Sequence, residues 1–454
     1  MIMQKTRLII LSLLITLSSV SLQAQALTLD EAWHLALNHD PGYLAALKEQ
    51  AAANEDAAIA TAGLLPAVSL SWQNAPKNWQ QQNYSQTDIR GQHHNVERQQ
   101  QYQSYSGAVT LVQPLLDYEA WARYQQGIRQ KTGSEHRLRQ RFQDLAVRVV
   151  EAYLKVVSCR EKQALLSQRM TLLEQQRLLN QRLYRAGEAA ITELKETEAE
   201  YALAVAEHLE AGDVLEAARG ELEMITGQPL VTDLPVRLTD ATTALPIPSG
   251  GWQAWQKNAL ALNPQLQAMK QDVESRRYDI ERKRAAFFPR VELYATHSQS
   301  DSATDTSVHQ QYRTDSLGIR VKMALYAGGS NAASIRQATA KYEQAQFTRD
   351  AQRLKTVNEL RQFYNQCLHG PVKIQAWLAA VAAARTQLSA TRKSILAGQR
   401  INIDLLNAGQ KLFKSQLDLA DEKFNYMKAW INLLDRSGTL SIEDLATLNR
   451  HLME

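Results

Sequence analysis

Apolar and polar residues alternate in four short segments of the chain. In the clearest segment, Leu317, Ile319, Val321, Met323 and Leu325 alternate with Ser316, Gly318, Arg320, Lys322 and Ala324. A period of two places the apolar side chains on one face of a β-strand and the others on the opposite face. The pattern predicts strands near residues 67–75, 102–115, 290–300 and 312–326. Polar linkers, Pro76 to Gln101 and Gln299 to Gln311, separate the members of each predicted pair.

Long tracts without proline, rich in Ala, Leu, Gln, Glu, Arg and Lys, follow these pairs. Such a composition predicts long helices. One helix, from about Tyr118 to about Tyr184, would be roughly 100 Å long at 1.5 Å per residue, which is typical of a rod in a larger assembly. Another tract keeps the spacing of 4 and 3 that marks a coiled coil, at Phe413, Leu417, Ala420, Phe424, Met427, Ile431 and Leu434. Gly370–Pro371 interrupts a helical tract, and we predict a kink or pause there.

The same signals occur twice along the chain. Pro41 and Pro66 are 25 residues apart, as are Pro264 and Pro289. Two Ala-Gly pairs, Ala186–Gly187 and Ala397–Gly398, each precede another glycine by 40 residues, namely Gly227 and Gly438. We therefore predict an internal duplication, with one structural repeat over residues 27–245 and a second over 246–454.

The first residues have the features of a secretory signal peptide. Lys5 and Arg7 precede an apolar run from Leu8 to Val20, and Ala24-Gln25-Ala26 has the small-x-small pattern of a cleavage site. We predict a signal peptide over residues 1–26 and an exported mature chain. The net charge is +4, which gives no reason to expect nucleic acid as a partner. Cys159 continues an apolar helical seam, and Cys367 lies in a similar setting, so we predict packing roles and no disulfide framework.

Motifs for catalysis or cofactor binding are absent from the sequence. It contains no P-loop, no His-Glu-x-x-His, no Gly-x-Ser-x-Gly and no Cys-x-x-Cys. His93–His94 lies in a glutamine-rich segment without nearby cysteine, which favours a solvated pair over a metal site. We predict no enzymatic activity, no cofactor and no metal.

The four amphipathic strands have two interpretations. A soluble hairpin with one buried face explains any single segment. An exported chain with four strands of about 9 to 11 residues, the length that crosses a bilayer when tilted, instead favours a membrane β-barrel. Because four strands cannot close a barrel without leaving edges in lipid, several chains would have to share one barrel.

Several motifs together resemble the TolC family of outer-membrane channels. They are the Ala-Gly elements with Ile191–Leu194 and Ile403–Leu405, the element Leu325–Gly329, and the tail Ser437–Leu445. The resemblance implies a mainly α fold with a membrane β-barrel. Three protomers would share a 12-stranded barrel, four strands per chain, and a long coiled-coil α-helical barrel that extends from the cell outer membrane into the periplasm. The implied partners are outer-membrane lipid, a periplasmic adaptor protein, and an inner-membrane ABC transporter or other pump.

The resemblance also places a gate at two tip turns, around Gly187 and Gly398. In the family these turns join paired coiled coils, and polar bonds and rings of acidic side chains constrict the tunnel there. The positions that match the gate are Arg182, Thr192, Glu193, Arg400, Asp404 and Asn407. Thr192 and Arg400 retain the family's residue types, and Asp404 retains one of two family aspartates.

Other gate positions depart from the family pattern. Asn407 replaces the second aspartate, and Glu193 replaces another. Arg182 stands in place of a glutamine and Ile395 in place of a tyrosine. The network of bonds that holds the tip shut must therefore differ from that of the family.

Asp404 has two compatible interpretations. Three copies around a narrow axis would concentrate negative potential and favour cations in the closed pore. Alternatively, Asp404 and Glu193 each stabilise the first turn of a predicted helix, where a carboxylate interacts with the helix dipole and with free N–H groups.

Three functions are compatible with these features, and two of them lie within the family. We predict the exit duct of a type I protein secretion system, because the segment Gln113–Tyr118 and the short tail after Leu452 resemble that branch. The alternative within the family is the outer-membrane component of a tripartite small-molecule efflux pump. A periplasmic coiled-coil adaptor or structural protein would need the rods but no lipid-facing strands.

Overall fold

A computed structural model describes residues 27–231, 234–236, 245–246, 250–304, 307–397 and 399–453, without the side chains of 302–304, 307–309 and 396. The predicted signal peptide lies outside the described residues. The chain forms two compact units. The first comprises the described parts of 1–47, 138–264 and 353–454, and the second comprises Lys48–Arg137 and Gln265–Gln352. The units group residues by contact, whereas the predicted repeats divide the chain by sequence, so the boundary at 245 stays a prediction.

The elements follow one another in the same order in each half of the chain. In the first half they are α1 (Leu29–His39), α2 (Pro41–Ala62), β1 (Ala67–Thr87), β2 (His93–Leu116), α3 (Tyr118–Arg185) and α4 (Ile191–Thr226). In the second half they are α5 (Gly251–Leu262), α6 (Pro264–Arg284), β3 (Arg290–Thr304), β4 (Ser307–Lys322), α7 (Ser330–Leu396), α8 (Asn402–Ser437) and α9 (Ile442–Met453). The long helix predicted to begin near Tyr118 is confirmed, since α3 has 68 residues. Helix α7 has 67 residues and is helical through Pro371, so the predicted interruption does not end it.

The second unit contains a four-stranded antiparallel sheet in the order β1-β2-β3-β4. Val68 lies opposite Leu111 across β1 and β2, and Ala295 lies opposite Leu317 across β3 and β4. Since residues directly opposite each other share a face of the sheet, most apolar positions of the four strands fall on one face, whereas Val112 and Tyr294 lie opposite each other on the other face. The apolar face is exposed in the chain, with Leu317 77% accessible. The opposite face carries mainly polar positions, including Ser69, Ser71, Thr110, Thr296, Ser316 and Arg320.

The first hairpin is longer than the sequence predicted. The segment Pro76 to Gln101 is mostly strand, because β1 continues to Thr87 and β2 begins at His93. A shift in register between Ala75 and Asn78 separates the apolar part of β1 from its polar extension. This extension is rich in Gln and Asn, so no apolar alternation reveals the strand. The prediction of a linker here was wrong, and so was that of a linker from Gln299 to Gln311, because β3 continues to Thr304 and β4 begins at Ser307.

The main hydrophobic core lies in the first unit. It gathers apolar side chains from helices of both halves, among them Trp33, Leu145, Val149, Tyr153, Leu222, Trp430 and Ile431. Helix α1 begins with a capping box between Thr28 and Glu31, and Trp33 on this helix packs edge-on against Phe142 of α3 at 5.1 Å. Helices α4 and α8 each end at a glycine in the left-handed region, Gly227 with φ 72° and Gly438 with φ 73°. The two recurrent glycines therefore terminate equivalent helices.

The two thiols are free and lie in the first unit. Cys367 is fully buried, and this burial raises its pKa to about 12. Burial also raises the pKa of Cys159, which is half-buried. Both cysteines have the packed surroundings that the sequence predicts. None of the described helices is both long enough and apolar enough to span a bilayer.

Candidate gate at the helix tips

Two helix–turn–helix tips, both in the first unit, contain the predicted gate residues. At the first tip, α3 ends at Arg185 and α4 begins at Ile191, with Gly187 at φ 78° in between. The N–H of Glu188 donates to the carbonyl of Leu183 at 2.9 Å. At the second tip, the N–H of Gln399 donates to the carbonyl of Ser394 at 3.0 Å, an equivalent bond in the turn between α7 and α8. Gly398, the other predicted turn glycine, lies outside the described residues.

Glu193 and Asp404 occupy equivalent places, each as the third residue of a tip helix. The preceding residues, Ala190 and Ile401, are extended and provide no side-chain cap. The N–H groups of Glu193 and Asp404 donate to the carbonyls of Ala190 and Ile401, each at 3.2 Å, and a carboxylate in this first turn is favourably placed in the helix dipole. Both acidic residues are half-buried.

The other predicted gate residues, Arg182, Thr192, Arg400 and Asn407, are exposed. Across the described ranges, no side-chain hydrogen bond or ion pair is formed by these four residues or by Glu193 and Asp404. A single chain therefore leaves the gate positions available and does not pair Arg400 with Thr192 or Glu193. Ile395 is half-buried near the end of α7.

A buried polar network, absent from the sequence prediction, joins the two tips within one chain. Asn180 of α3 donates to the Thr197 hydroxyl of α4 at 2.8 Å, and Asn402 of α8 donates to the same oxygen at 3.4 Å. Gln176 of α3 donates to Asn402 Oδ1 at 2.8 Å and to Asn180 Oδ1 at 3.2 Å. Thr197 is 0%, Asn180 2% and Asn402 8% exposed. Because buried amides left without partners are costly, this network holds the starts of α4 and α8 in a fixed relation to α3.

Heptad spacing is the sequence signal that reveals this network. On α3 the positions that face other helices continue as Leu166, Arg169, Leu173, Gln176 and Asn180, and on α4 they run as Leu194, Thr197, Tyr201 and Ala204. Thr197, Gln176 and Asn180 are therefore polar residues at seam positions. Single polar residues at such positions fix the register of coiled coils at a cost in stability.

Two arginines of α3, Arg169 and Arg177, make further contacts with α4 and α8. Arg169 of α3 pairs with Glu200 of α4 at 2.9 Å and also with Glu207. Its guanidinium lies 4.9 Å from the ring centroid of Phe413 on α8. Arg177 lies at the same distance from the Tyr201 ring. These cation–π contacts and ion pairs join the same three helices as the buried network.

No group of three or more His, Cys, Asp or Glu side chains in the described part of the chain is arranged to hold a metal ion. His93 contacts Thr87 at 2.9 Å and His94 lies 3.5 Å from Asp88, all at the end of the first hairpin. The arrangement at the tips instead combines unpaired charged groups with a shielded set of hydrogen bonds.

Comparison with known proteins agrees with this geometry. The family model described as "Outer membrane efflux protein" matches residues 32–228 and 255–439. The chain is 37% identical over 447 residues to the "Proteases secretion protein PrtF" of Dickeya chrysanthemi, covering 98% of this chain and 95% of PrtF. It is 38% identical over 423 residues to the "Alkaline protease secretion protein AprF" of Pseudomonas aeruginosa, covering 93% and 86%.

The fold is also similar to solved channel structures. The structure of the outer-membrane channel OprN matches with a TM-score of 0.75 and 18% identity, over 91% of this chain and 90% of that one. The predicted fold class, mainly α with four strands per chain, is confirmed. The chain therefore belongs to the outer membrane efflux protein family, the family of TolC, and is a protein of the cell outer membrane.

Proposed function

We propose that this protein is the exit duct of a type I protein secretion system, a homotrimeric channel-tunnel through which an exported protein leaves the cell. The observation that carries the proposal is the similarity, over 93% or more of the chain, to two proteins named for protease secretion. The membership in a channel family makes a periplasmic adaptor an unsuitable alternative.

The edges of the sheet support the trimer. Strands β1 and β4 each have one neighbour within the chain, so each leaves a row of backbone N–H and C=O groups without a strand partner. Such groups cannot remain unpaired in lipid. Pairing β4 of one chain with β1 of the next closes the sheet, and three chains give a barrel of 12 strands. The exposed apolar face then meets lipid, and the polar face lines the lumen.

Asp404 forms the selectivity ring of the closed gate in this proposal. Three copies of Asp404 concentrate negative potential on the axis, while Asn407 contributes no charge. Thr192, Glu193, Arg182 and Arg400 are exposed or half-buried and available for bonds to neighbouring chains. The buried network of Asn180, Thr197 and Asn402 holds each chain's own helices in place for those bonds.

A passive duct needs partners that supply energy. An inner-membrane ABC transporter and a periplasmic adaptor supply it in this proposal, and the chain itself catalyses no reaction. The relatives are named for secretion and not for catalysis.

Deletion of the gene tests the proposed function. We expect the deletion strain to lose export of a large secreted protein, such as a protease, and a plasmid copy to restore it. Small-molecule efflux is the second candidate, favoured by the description of the family model. Drug hypersensitivity with normal protein secretion would contradict the secretion proposal and support efflux.

A further inference from the structure

Helix α7 contains a proline at which its backbone hydrogen bonding is interrupted, and the corresponding helix of the first half, α3, has no proline. Pro371 lies within the 67 residues of this helix. A proline has no N–H, so the carbonyl of Cys367, four residues earlier, loses its helical donor, and the proline ring crowds the same turn. Cys367 is fully buried. The preceding residue is Gly370, which adds backbone freedom at the same point.

The ring of Tyr426, from helix α8, fills the space beside Gly370. A Cβ atom added at Gly370 would overlap Tyr426 Cδ2 and would lie 3.0 Å from Cγ and Cε2. Tyr426 is 1% exposed, and its hydroxyl donates to the carbonyl of Leu245 at 3.4 Å. The ring is therefore held from behind and lies directly against the backbone of α7.

The first half has a different arrangement at the equivalent place. The terminal glycines Gly227 and Gly438 are 211 residues apart, as are the ends of α3 and α7 at Arg185 and Leu396. The same interval relates Gly370–Pro371 to Cys159–Arg160 and Tyr426 to Leu215. In the first half, a small side chain and a leucine thus replace the glycine and the tyrosine.

Arg160 holds the first-half helix at the place where the second half has proline. Its guanidinium donates to the carbonyls of Leu234 and Val236 in the connection between the halves. Helix α3 therefore keeps its full hydrogen-bond ladder here and is tied to a neighbouring segment. The two helices therefore differ at this point in whether a backbone donor is present and in whether a side chain ties the helix to its neighbour.

A cavity lies next to Gly370–Pro371. It has a volume of about 320 Å³ and is lined by α7 and α8 side chains, among them Gln362, Gln366, Asn425 and Tyr426. Just beyond the proline, Lys373 pairs with Glu422 of α8 at 3.3 Å. The lining combines amide and charged side chains with Phe363 and Ala429, so water that enters the cavity finds polar partners on part of its wall.

From these observations we propose that Gly370–Pro371 is the pivot of the channel, about which the part of α7 from residue 372 to its tip tilts against the Tyr426 ring while α3 stays fixed. This inference rests on the proposed channel function. The tilting part has 25 residues and is about 37 Å long at 1.5 Å per residue, so a tilt of about 10° moves its end by roughly 6 Å. A movement of that size at each of three tips opens a closed constriction.

Hydrogen exchange on the purified full-length mature protein tests the pivot. We expect Pro371→Ala, which restores the donor to Cys367, to slow amide exchange over residues 368–376 by about tenfold or more. Pro264→Ala is the matched control, because Pro264 is the first residue of α6 and its removal restores no interior helical bond. Exchange over 368–376 should be unchanged in this control. Equal exchange in Pro371→Ala and the wild type would overturn the pivot.

Single-channel recording in planar bilayers tests whether the pivot serves opening. With Pro371→Ala we expect visits to the highest-conductance state to fall by about tenfold. Slower exchange with unchanged opening would also overturn the proposal, because flexibility at Gly370–Pro371 would then play no part in opening the channel. Neither measurement involves a cargo, so a failure of the secretion proposal would show in the deletion strain and a failure of the pivot would show here.

Discussion

In the proposed gate, Asp404 acts through its charge, through its position at the start of α8, or through both. Replacement by asparagine keeps the size of the side chain and removes the negative charge. If three copies ring the closed pore, Asp404→Asn should weaken cation selectivity and reduce block by divalent ions in planar bilayers. Asn407→Ala is the matched control, because this exposed residue is uncharged and one turn further along the same helix. Unchanged ion preference in Asp404→Asn would leave Asp404 with a helix-dipole role only.

Thr197 is the shared acceptor of the buried network, so its hydroxyl is the most informative atom to remove. Thr197→Val keeps the shape and leaves the amides of Asn180 and Asn402 without this partner. We expect a loss of about 1–3 kcal/mol in the closed arrangement and a larger closed-state conductance in planar bilayers. Thr171→Val, at an exposed position of α3 whose hydroxyl bonds only to the carbonyl of Ser167 in its own helix, should leave conductance close to the wild type. Equal effects of the two variants would contradict a latch role for the network.

Asp435, near the end of α8, is a buried carboxylate whose protonation should change the free energy of unfolding. It is 7% exposed, and burial, together with the nearby carboxylates Asp144, Glu359 and Glu151, raises its pKa to about 6 despite Arg436. The folded protein therefore binds more protons at this group than the unfolded chain between pH 3.8 and about 6. The contribution of Asp435 to the free energy of unfolding falls as pH rises through this range and stays low above it.

Asp435→Asn should remove this pH dependence. At pH 7 the variant is expected to gain up to about 3 kcal/mol, from a pKa difference of about two units at 1.36 kcal/mol each. Thermal unfolding of the purified protein between pH 4 and 7 measures the effect, and the two curves should converge toward pH 4. A variant that is less stable than the wild type at pH 7 would show that the pairing with Arg436 outweighs the cost of burial.

Individual side chains at the tips could be placed from the sequence, but their partners could not. Glu193 and Asp404 stand in the first turns of their helices as predicted, because Ala-Gly turns mark where those helices begin. Their roles in the gate stay predictions. The buried network was not predicted, because asparagine and threonine usually face solvent, although the heptad spacing places Asn180 and Thr197 at seam positions. Only the register of the helices against one another, which arises in the folded unit, brings the three side chains together.

Helices α4 and α8 end at glycines that cannot be replaced without strain. At Gly438, φ is 73°, and an added Cβ would lie 2.5 Å from the Leu262 carbonyl carbon and 2.6 Å from Asn263 N. We expect Gly438→Ala to lower the free energy of unfolding by about 2–4 kcal/mol, from left-handed backbone strain and overlap with fixed backbone. Gly409→Ala is the control within the same helix, since its Cβ would meet only Leu388 Cδ1 at 4.0 Å. That change should be neutral or stabilising by about 1 kcal/mol.

Thermal unfolding compares the two glycine variants. Similar melting temperatures would mean that the end of α8 adjusts without cost. At Gly227 of α4, an added Cβ would overlap the ring of His39 at the end of α1. Helices α4 and α8 thus each end in contact with the end of a short helix from the same half of the chain.

Strands were predictable only where their two faces meet different surroundings. The apolar alternation predicted the start of β1 at residue 67 and of β3 at residue 290, as observed. It could not predict the extension of β1 to Thr87, because amide-rich strands with water on both faces have no alternation to detect. The long helices were predictable as elements from their composition, whereas Pro371 inside α7 shows that a proline in a long packed helix need not end it.

The molecule as a whole uses one pattern of elements twice, for different mechanical purposes. Each half contributes a strand pair to the sheet and helices of nearly equal length to the first unit. The predicted duplication explains why the elements recur in this order, and in the proposed channel the differences between the halves allow the gate to move. Arg160 in one half and Gly370–Pro371 in the other are the clearest of these differences.

The assignment of the apolar sheet face to lipid determines how the complete assembly forms. Ile319 lies on this face and is 65% exposed in the single chain, whereas Ser316 lies on the opposite face, paired with Thr296. A lipid-facing arginine costs about 2–4 kcal/mol at the middle of the bilayer, and one that faces a watery lumen costs little. We therefore expect Ile319→Arg to reduce the amount of trimer recovered from outer membranes and Ser316→Arg to leave it near the wild-type level. Carbonate-resistant trimer on unheated gels gives the measurement. If both variants assemble equally well, the exposed apolar face does not contact lipid, and the sheet must be covered by something other than the membrane.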